Sequence, residues 1–480
     1  MDYAELFLER ADGLKYQLYK LLARPHIKDV TISDLANELH SKYQPTYNVF
    51  QELLDDLEQL SGQPRQDARH MLLSTQQLPV SVDVYRSFLV NHALLYRLVD
   101  YVVQAPAASL TQFCEQEFIS RSTISRKLRA LNECLAQYHI RFRLARFDFV
   151  GSELNIRYFL YTMYWWAHRG VAWVFEHIAK DQLCQEAQAM CIQPPEPLAD
   201  LQRLYFLAVT HLRVGKNHRI VQTPYLKHLA QVVADLMMTQ GSLHPSLNWL
   251  DAAAFSFFQV SQPRFDARTR TPEDVAKEAA VLMDDNAQTV LDALSVALYQ
   301  PESGDFDDDL YLNLLRVIGG MLAVSGPFPQ AQDYLGGGIK LNTQGIVEQV
   351  RQAVAALPQT PVYDPFRTDQ AFFEKVVVRL MGPYHVAADA TRYLHVDFAV
   401  DQGMEGYREL AGFVACVPWV AQVDSRQPDL TIVCPDTKHS ADDFLWYPDA
   451  FSLSTYRESL IQKLVDTHEQ KKNQSEAKRI

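Results

Sequence analysis

Helical periodicity fills the chain to about Tyr384, and near residue 392 it gives way to short β-prone runs. Tyr393 to Val400 and Leu430 to Cys434 read as strands, and Met404 to Ala415 and Ser454 to Val465 as helices. That alternation within about 75 residues predicts a small α/β domain closing a mainly α protein. A chain of 480 residues is too long for one ordinary core, so roughly three to five domains are expected. The polar stretch Gln262 to Pro272 reads as a linker between two helical blocks of similar length. Further breaks fall at Asp305 to Asp309, Gly326 to Pro329 and Gly336 to Gly338, and the polar residues from Glu469 onward read as a frayed tail.

Against 45 basic residues stand 58 acidic ones, a net charge of −13. That balance excludes a protein that coats nucleic acid indiscriminately, but it leaves room for one basic module on an acidic body. The longest strongly apolar run, Tyr158 to Ala167, falls far short of the ~20 residues of a membrane span. The acidic start, Met1 to Glu5, lacks the pattern of a signal peptide. Six cysteines, none in a CxxC pair, suit a reducing compartment and give no metal-site spacing. A soluble, cytoplasmic protein without metal or cofactor is expected.

The basic module lies between Ser109 and Arg157. Leu110, Phe113, Phe118 and Ile119 are expected to supply the apolar contacts of a short helix and its following turn. Ile124, Leu128, Leu131 and Leu135 recur at i, i+4, i+7 and i+11, one face of a longer helix, with Ser122 as the expected N-cap. The opposite face opens with Thr123, Ser125, Arg126 and Arg129, short donors and guanidinium groups in the first two turns, where a recognition helix meets base edges. Ile140 to Leu144 and Phe147 to Val150 then read as a β-wing, with Arg141, Arg143 and Arg146 placed for phosphates. From Ile119 to Phe147 seven basic residues face one acidic residue, a local net of +6. The competing reading is a solvated basic face on a helical hairpin. A weaker helix-turn-helix candidate begins at Thr31 to Leu39. Its next helix has Val49, Phe50, Leu53 and Leu57 as the expected buried stripe, and Gln51, Glu52, Asp55, Asp56 and Glu58 on a side that would repel phosphate.

The run Ser109 to Phe113 with Ser120 to Leu128, followed by Gly151-Ser152-Glu153-Leu154-Asn155-Ile156-Arg157, resembles the Mga/AtxA family of bacterial transcription regulators. The resemblance implies two N-terminal winged helix-turn-helix domains, two all-α phosphotransferase-regulation domains (PRDs), and a C-terminal α/β domain similar to the EIIB component of sugar phosphotransferase systems. Mapped onto this chain, these parts fall at 1–70, 71–160 (the main DNA-binding domain), 161–270, 271–388 and 389–468, before a polar tail at 469–480. The resemblance also implies PRD histidines phosphorylated through the phosphocarrier HPr. His218, between Asn217 and Arg219, is the favoured acceptor and His211 the second, ahead of His177 and His228. In the second helical block Arg379-Leu380 stands where relatives tend to carry a histidine-leucine pair, and His385 is the substitute candidate. The loop Val400 to Met404 lacks the cysteine of an active EIIB, so the C-terminal domain is expected to serve homodimerisation, with Phe444 to Tyr447 as interface or core.

No HExxH, GxSxG or P-loop pattern is present, and no enzyme is expected. The reading is a transcription regulator that binds double-stranded promoter DNA. Ser122, Thr123, Ser125 and Arg126 are the expected base readers, and Arg121, Lys127, Arg129, Arg141, Arg143 and Arg146 the phosphate contacts. The alternative is a phosphotransferase-linked adaptor that binds proteins and no DNA.

Overall fold

The computed structural model describes residues 3–23, 30–75, 78–190, 197–237, 245–261, 271–298, 308–329, 344–388, 394–400, 405–415, 417, 420–422, 428–434, 440, 442–447 and 454–477. The chain divides into two compact units, one of residues 1–295, 307–340 and 353–373, the other of residues 296–306, 341–352 and 374–480.

In the first unit α1 (Tyr3–Phe7), α2 (Arg10–Leu22), α3 (Ile32–Glu38), α4 (Tyr43–Ser61) and α5 (Arg65–His70) precede α6 (Val82–His92) and α7 (Leu94–Gln104). Then come α8 (Leu110–Gln116), α9 (Arg121–Ala136), the hairpin strands β1 (Arg141–Arg143) and β2 (Asp148–Val150), and α10 (Glu153–His168). A helical block follows: α11 (Lys180–Ala189), α12 (Pro197–Gly215), α13 (Pro224–Met237) and α14 (Trp249–Ser261). α15 (Pro272–Leu282), α16 (Asp285–Leu298), α17 (Asp308–Val324) and α19 (Asp364–Thr368) lie wholly or mostly in this unit, whereas α18 (Gln344–Ala356) and α20 (Gln370–Ala388) fall mostly in the second.

The apolar run Tyr158 to Ala167 belongs to α10, whose sixteen residues are all buried. A helix apolar on every side is stable in water only when wrapped by others. No described helix is long and apolar enough to cross a membrane. Three hydroxyls of α10 are paired: Thr162 with Tyr3 (2.8 Å), Tyr158 with Ser261 (2.9 Å), and Tyr164 donating to Asp100 (2.7 Å). His168 sits between the Ser87 hydroxyl at 2.8 Å and the Tyr96 hydroxyl at 2.6 Å. Burial, then the nearby Arg86 cation, pushes its pKa down to about 4, so the ring is neutral. Phe206 and Phe258 stack at 4.3 Å beside Tyr161, whose ring meets Phe258 edge-on.

Thr31 caps α3 in a reciprocal capping box with Asp34. In α4, Phe50, Leu53 and Leu57 are buried as expected, but Leu54 completes the stripe while Val49 is only half-buried. Asp56 departs from the expected repulsive face. Its carboxylate accepts from Lys15 at 2.7 Å and from the Tyr85 hydroxyl at 2.8 Å, so it is an internal anchor. No strand lies among the described residues before Arg141, so the wing expected of a first helix-turn-helix domain is not seen there.

In the second unit β3 (Leu394–Ala399), α21 (Glu405–Ala415), β4 (Val420–Gln422), β5 (Leu430–Val433), β6 (Phe444–Leu445) and α22 (Ser454–Ala477) form a parallel sheet in the order β4-β3-β5-β6 with two helices. Leu394, Val396, Leu410, Ile432, Trp446, Leu460 and Leu464 make its core. Trp446 is therefore core, whereas Tyr447 is exposed. The expected frayed tail is corrected: α22 continues to Ala477, and Lys471 reaches the Asp429 carboxylate at 2.6 Å. Residues 401–404, Cys416 and the side chain of His385 lie outside what is described.

Candidate nucleic-acid interface

Two helices and a hairpin build the basic face. α8 ends at Gln116, and Phe118 takes a left-handed conformation (φ 54°) that turns the chain into α9. Phe118 was expected among the apolar contacts but is 95% exposed, because the reversal carries it away from the core that holds Phe113. Ser120, not Ser122, caps α9. Its hydroxyl accepts from the Thr123 N–H at 3.2 Å and lies 2.7 Å from the Ser122 hydroxyl, which already belongs to the first turn. Ile124, Leu128, Leu131 and Leu135 are buried, joined by Cys134.

β1 and β2 pair antiparallel with Phe142 opposite Phe149. Phe142 is buried between strand neighbours that are exposed, the arginines at 141 and 143. Asn132 on α9 fastens this wing to the helix. Its amide donates to the Phe142 carbonyl at 3.1 Å and accepts from the Phe142 N–H at 2.7 Å, a link the sequence reading missed. Gly151 ends the wing at φ 141°, where a side-chain carbon would come within 2.7 Å of the His139 carbonyl.

The expected contact residues are brought together, although not on equal terms. Arg126, Arg141, Arg143 and Arg146 are exposed and make no side-chain ion pair among the described residues. Ser122 and Ser125 are exposed and Thr123 is half-buried at the start of α9. Arg121 donates to the Thr111 hydroxyl at 2.8 Å. Arg129 pairs with Glu133 at 3.3 Å, both well exposed, a pair of the kind worth about 0–1 kcal/mol and readily exchanged. Lys127 is ion-paired with Glu9.

Behind the wing lies a buried charge network. Arg213 donates to both Glu153 oxygens at 2.9 and 2.8 Å and to Asp148 of β2 at 2.9 Å. Arg157 donates to Asp251 at 2.8 Å and to the His218 carbonyl at 3.2 Å. The His218 ring stands 2.8 Å from the second Asp148 oxygen. Burial raises the Asp148 pKa, but the His218 and Arg213 contacts outweigh it and hold the carboxyl well below the usual range. Arg219 is engaged by Asp251 and the Ser246 carbonyl. His211 pairs with Glu186 at 2.9 Å.

A cation-faced helix-turn-helix followed by a two-stranded wing is the architecture of a DNA-binding regulator domain. Residues 79–164 match the family model of the Mga helix-turn-helix domain. The chain thus carries a domain of that family, which supports its membership of the Mga/AtxA regulators it resembles. No curated protein matches the chain.

Proposed function

We propose that the protein is a cytoplasmic, non-enzymatic transcription regulator that binds promoter DNA through α9 and the β1–β2 wing. The observation that carries this reading is the set of exposed guanidinium groups at Arg126, Arg141, Arg143 and Arg146, held without carboxylate partners among the described residues on a matched helix-turn-helix domain. Thr123, Ser125 and Arg126 would read bases, while Arg121, Arg129 and the wing arginines engage phosphates. Lys127 would contribute less, because Glu9 already offsets its charge.

The five-part division into two helix-turn-helix domains, two PRDs and an EIIB-like dimerisation domain belongs to the same proposal. So does phosphorylation by HPr, for which His218 is the favoured acceptor. Its supporting observation is the 2.8 Å contact to Asp148, since a phosphoryl group on that nitrogen would repel a carboxylate of the wing itself.

The test is a salt titration of binding to a promoter fragment. Wild type should show a steep fall in affinity with salt, and Arg126→Ala with Arg129→Ala should weaken binding and flatten the log–log slope by about 1, roughly one unit for the lost Arg129 phosphate contact. Absence of wild-type binding at low salt, with the protein folded, would hand the lead to the adaptor reading.

A further inference from the structure

We propose that the cleft between α11, α12 and the end of α7 is a binding site for a small organic anion, with Lys216 as its cationic contact and the His177 ring as a hydrogen-bond donor beside it. The cleft encloses about 890 Å³, within the ~300–1,000 Å³ typical of small-molecule sites. Leu183 and Met190 give it an apolar floor. His211 and Glu186 line one wall and are paired with each other, so the carboxylate of Glu186 is already engaged.

Lys216 is the charge left over. It is half-buried, its amine donates to the Val102 carbonyl at 2.5 Å, and it has no ion pair among the described residues. Burial pushes its pKa down; the more distant Asp148 and Arg213 act in opposite senses. An ammonium drawn out of water without a counter-ion gains most from an anion that enters beside it. His177 is exposed on the same cleft, with no side-chain partner among the described residues. The shared chemistry is a phosphate monoester or a polycarboxylate with a compact body.

Occupancy would be felt at the DNA-binding domain through α7. Val102 and Gln104 lie in its last turn, and Gln104 lines the cleft while donating to the Val174 carbonyl at 3.0 Å. This coupling rests on the DNA-binding reading, whereas the binding itself does not.

Calorimetry on the full chain, without DNA, tests the site with three probes: inorganic phosphate, glucose 6-phosphate and citrate. At least one organic probe should bind saturably. Lys216→Met should weaken it by roughly tenfold and His177→Gln by about threefold, with circular dichroism confirming the fold. Binding of glucose 6-phosphate alone marks a phosphate monoester, and of citrate alone a carboxylate. No saturable heat with any probe on folded wild type overturns the proposal. Undiminished affinity in folded Lys216→Met does so too. If that variant fails to fold, His177→Gln decides, because its side chain supports nothing else described.

Discussion

Two hydroxyls hold the His168 ring where burial and the Arg86 cation disfavour its second proton, and the consequence is a pH dependence with a definite sign. The folded pKa of about 4 lies below the ordinary histidine value of about 6.5, so the unfolded chain takes up the proton first as pH falls. Stability is whole above pH 6.5 and is lost from there down towards pH 4, by about 3 kcal/mol if this group acts alone. Thermal melts across that window should show the slope in wild type and lose it in His168→Gln, a carrier of no titrating ring. At this scale the sequence is least informative. Ser120 and Ser122 have the same chemistry, and only the position of the turn decides which one caps α9. The pairing of Lys127 with Glu9 joins residues 118 apart, a distance over which no local pattern speaks.

Elements were far more legible, because a buried stripe or an alternating strand is written into neighbouring residues. The α9 stripe and the β1–β2 hairpin follow directly from their periodicity. The extension of α22 was hidden, since a polar segment reads alike whether it is helical or frayed. The wing also has a support that periodicity cannot reveal: the side chain of Asn132 acts towards Phe142 as an adjacent strand would. Asn132→Leu leaves a backbone donor and acceptor of the wing without their partner, at a cost of about 2 kcal/mol. Urea unfolding should register that loss. The same variant should bind promoter DNA more weakly although no cation has been removed, because the wing arginines lose their fixed placement.

At the scale of the molecule, the wing is held to the helical block by buried charge. Arg213 serves Asp148 and Glu153 at once, and Arg157 serves Glu153 and Asp251. The sequence displayed the Gly151-to-Arg157 step, but not its use, because Arg213 and Asp251 come from helices 60 and 94 residues away. Arg213→Met strips two carboxylates of their shared partner, and breaking a buried pair of this kind costs about 3–5 kcal/mol. Its denaturant midpoint should fall accordingly. Asp148→Asn in the Arg213→Met background should recover part of that loss, whereas Asp148→Asn alone should be destabilising.

The complete enclosure of α10 bears on how such a regulator can be taken apart. The matched segment stops at residue 164, within a helix whose covering comes from Tyr3 on one side and from Tyr205, Phe258 and Ser261 on the others. Cut out alone, that segment would expose Tyr158 and Tyr161, whose rings Phe206 and Phe258 of the helical block cover. The helix-turn-helix domain is therefore not a cassette that can be grafted elsewhere on its own: its last helix is also the helical block's first, and the two would have to be exchanged together.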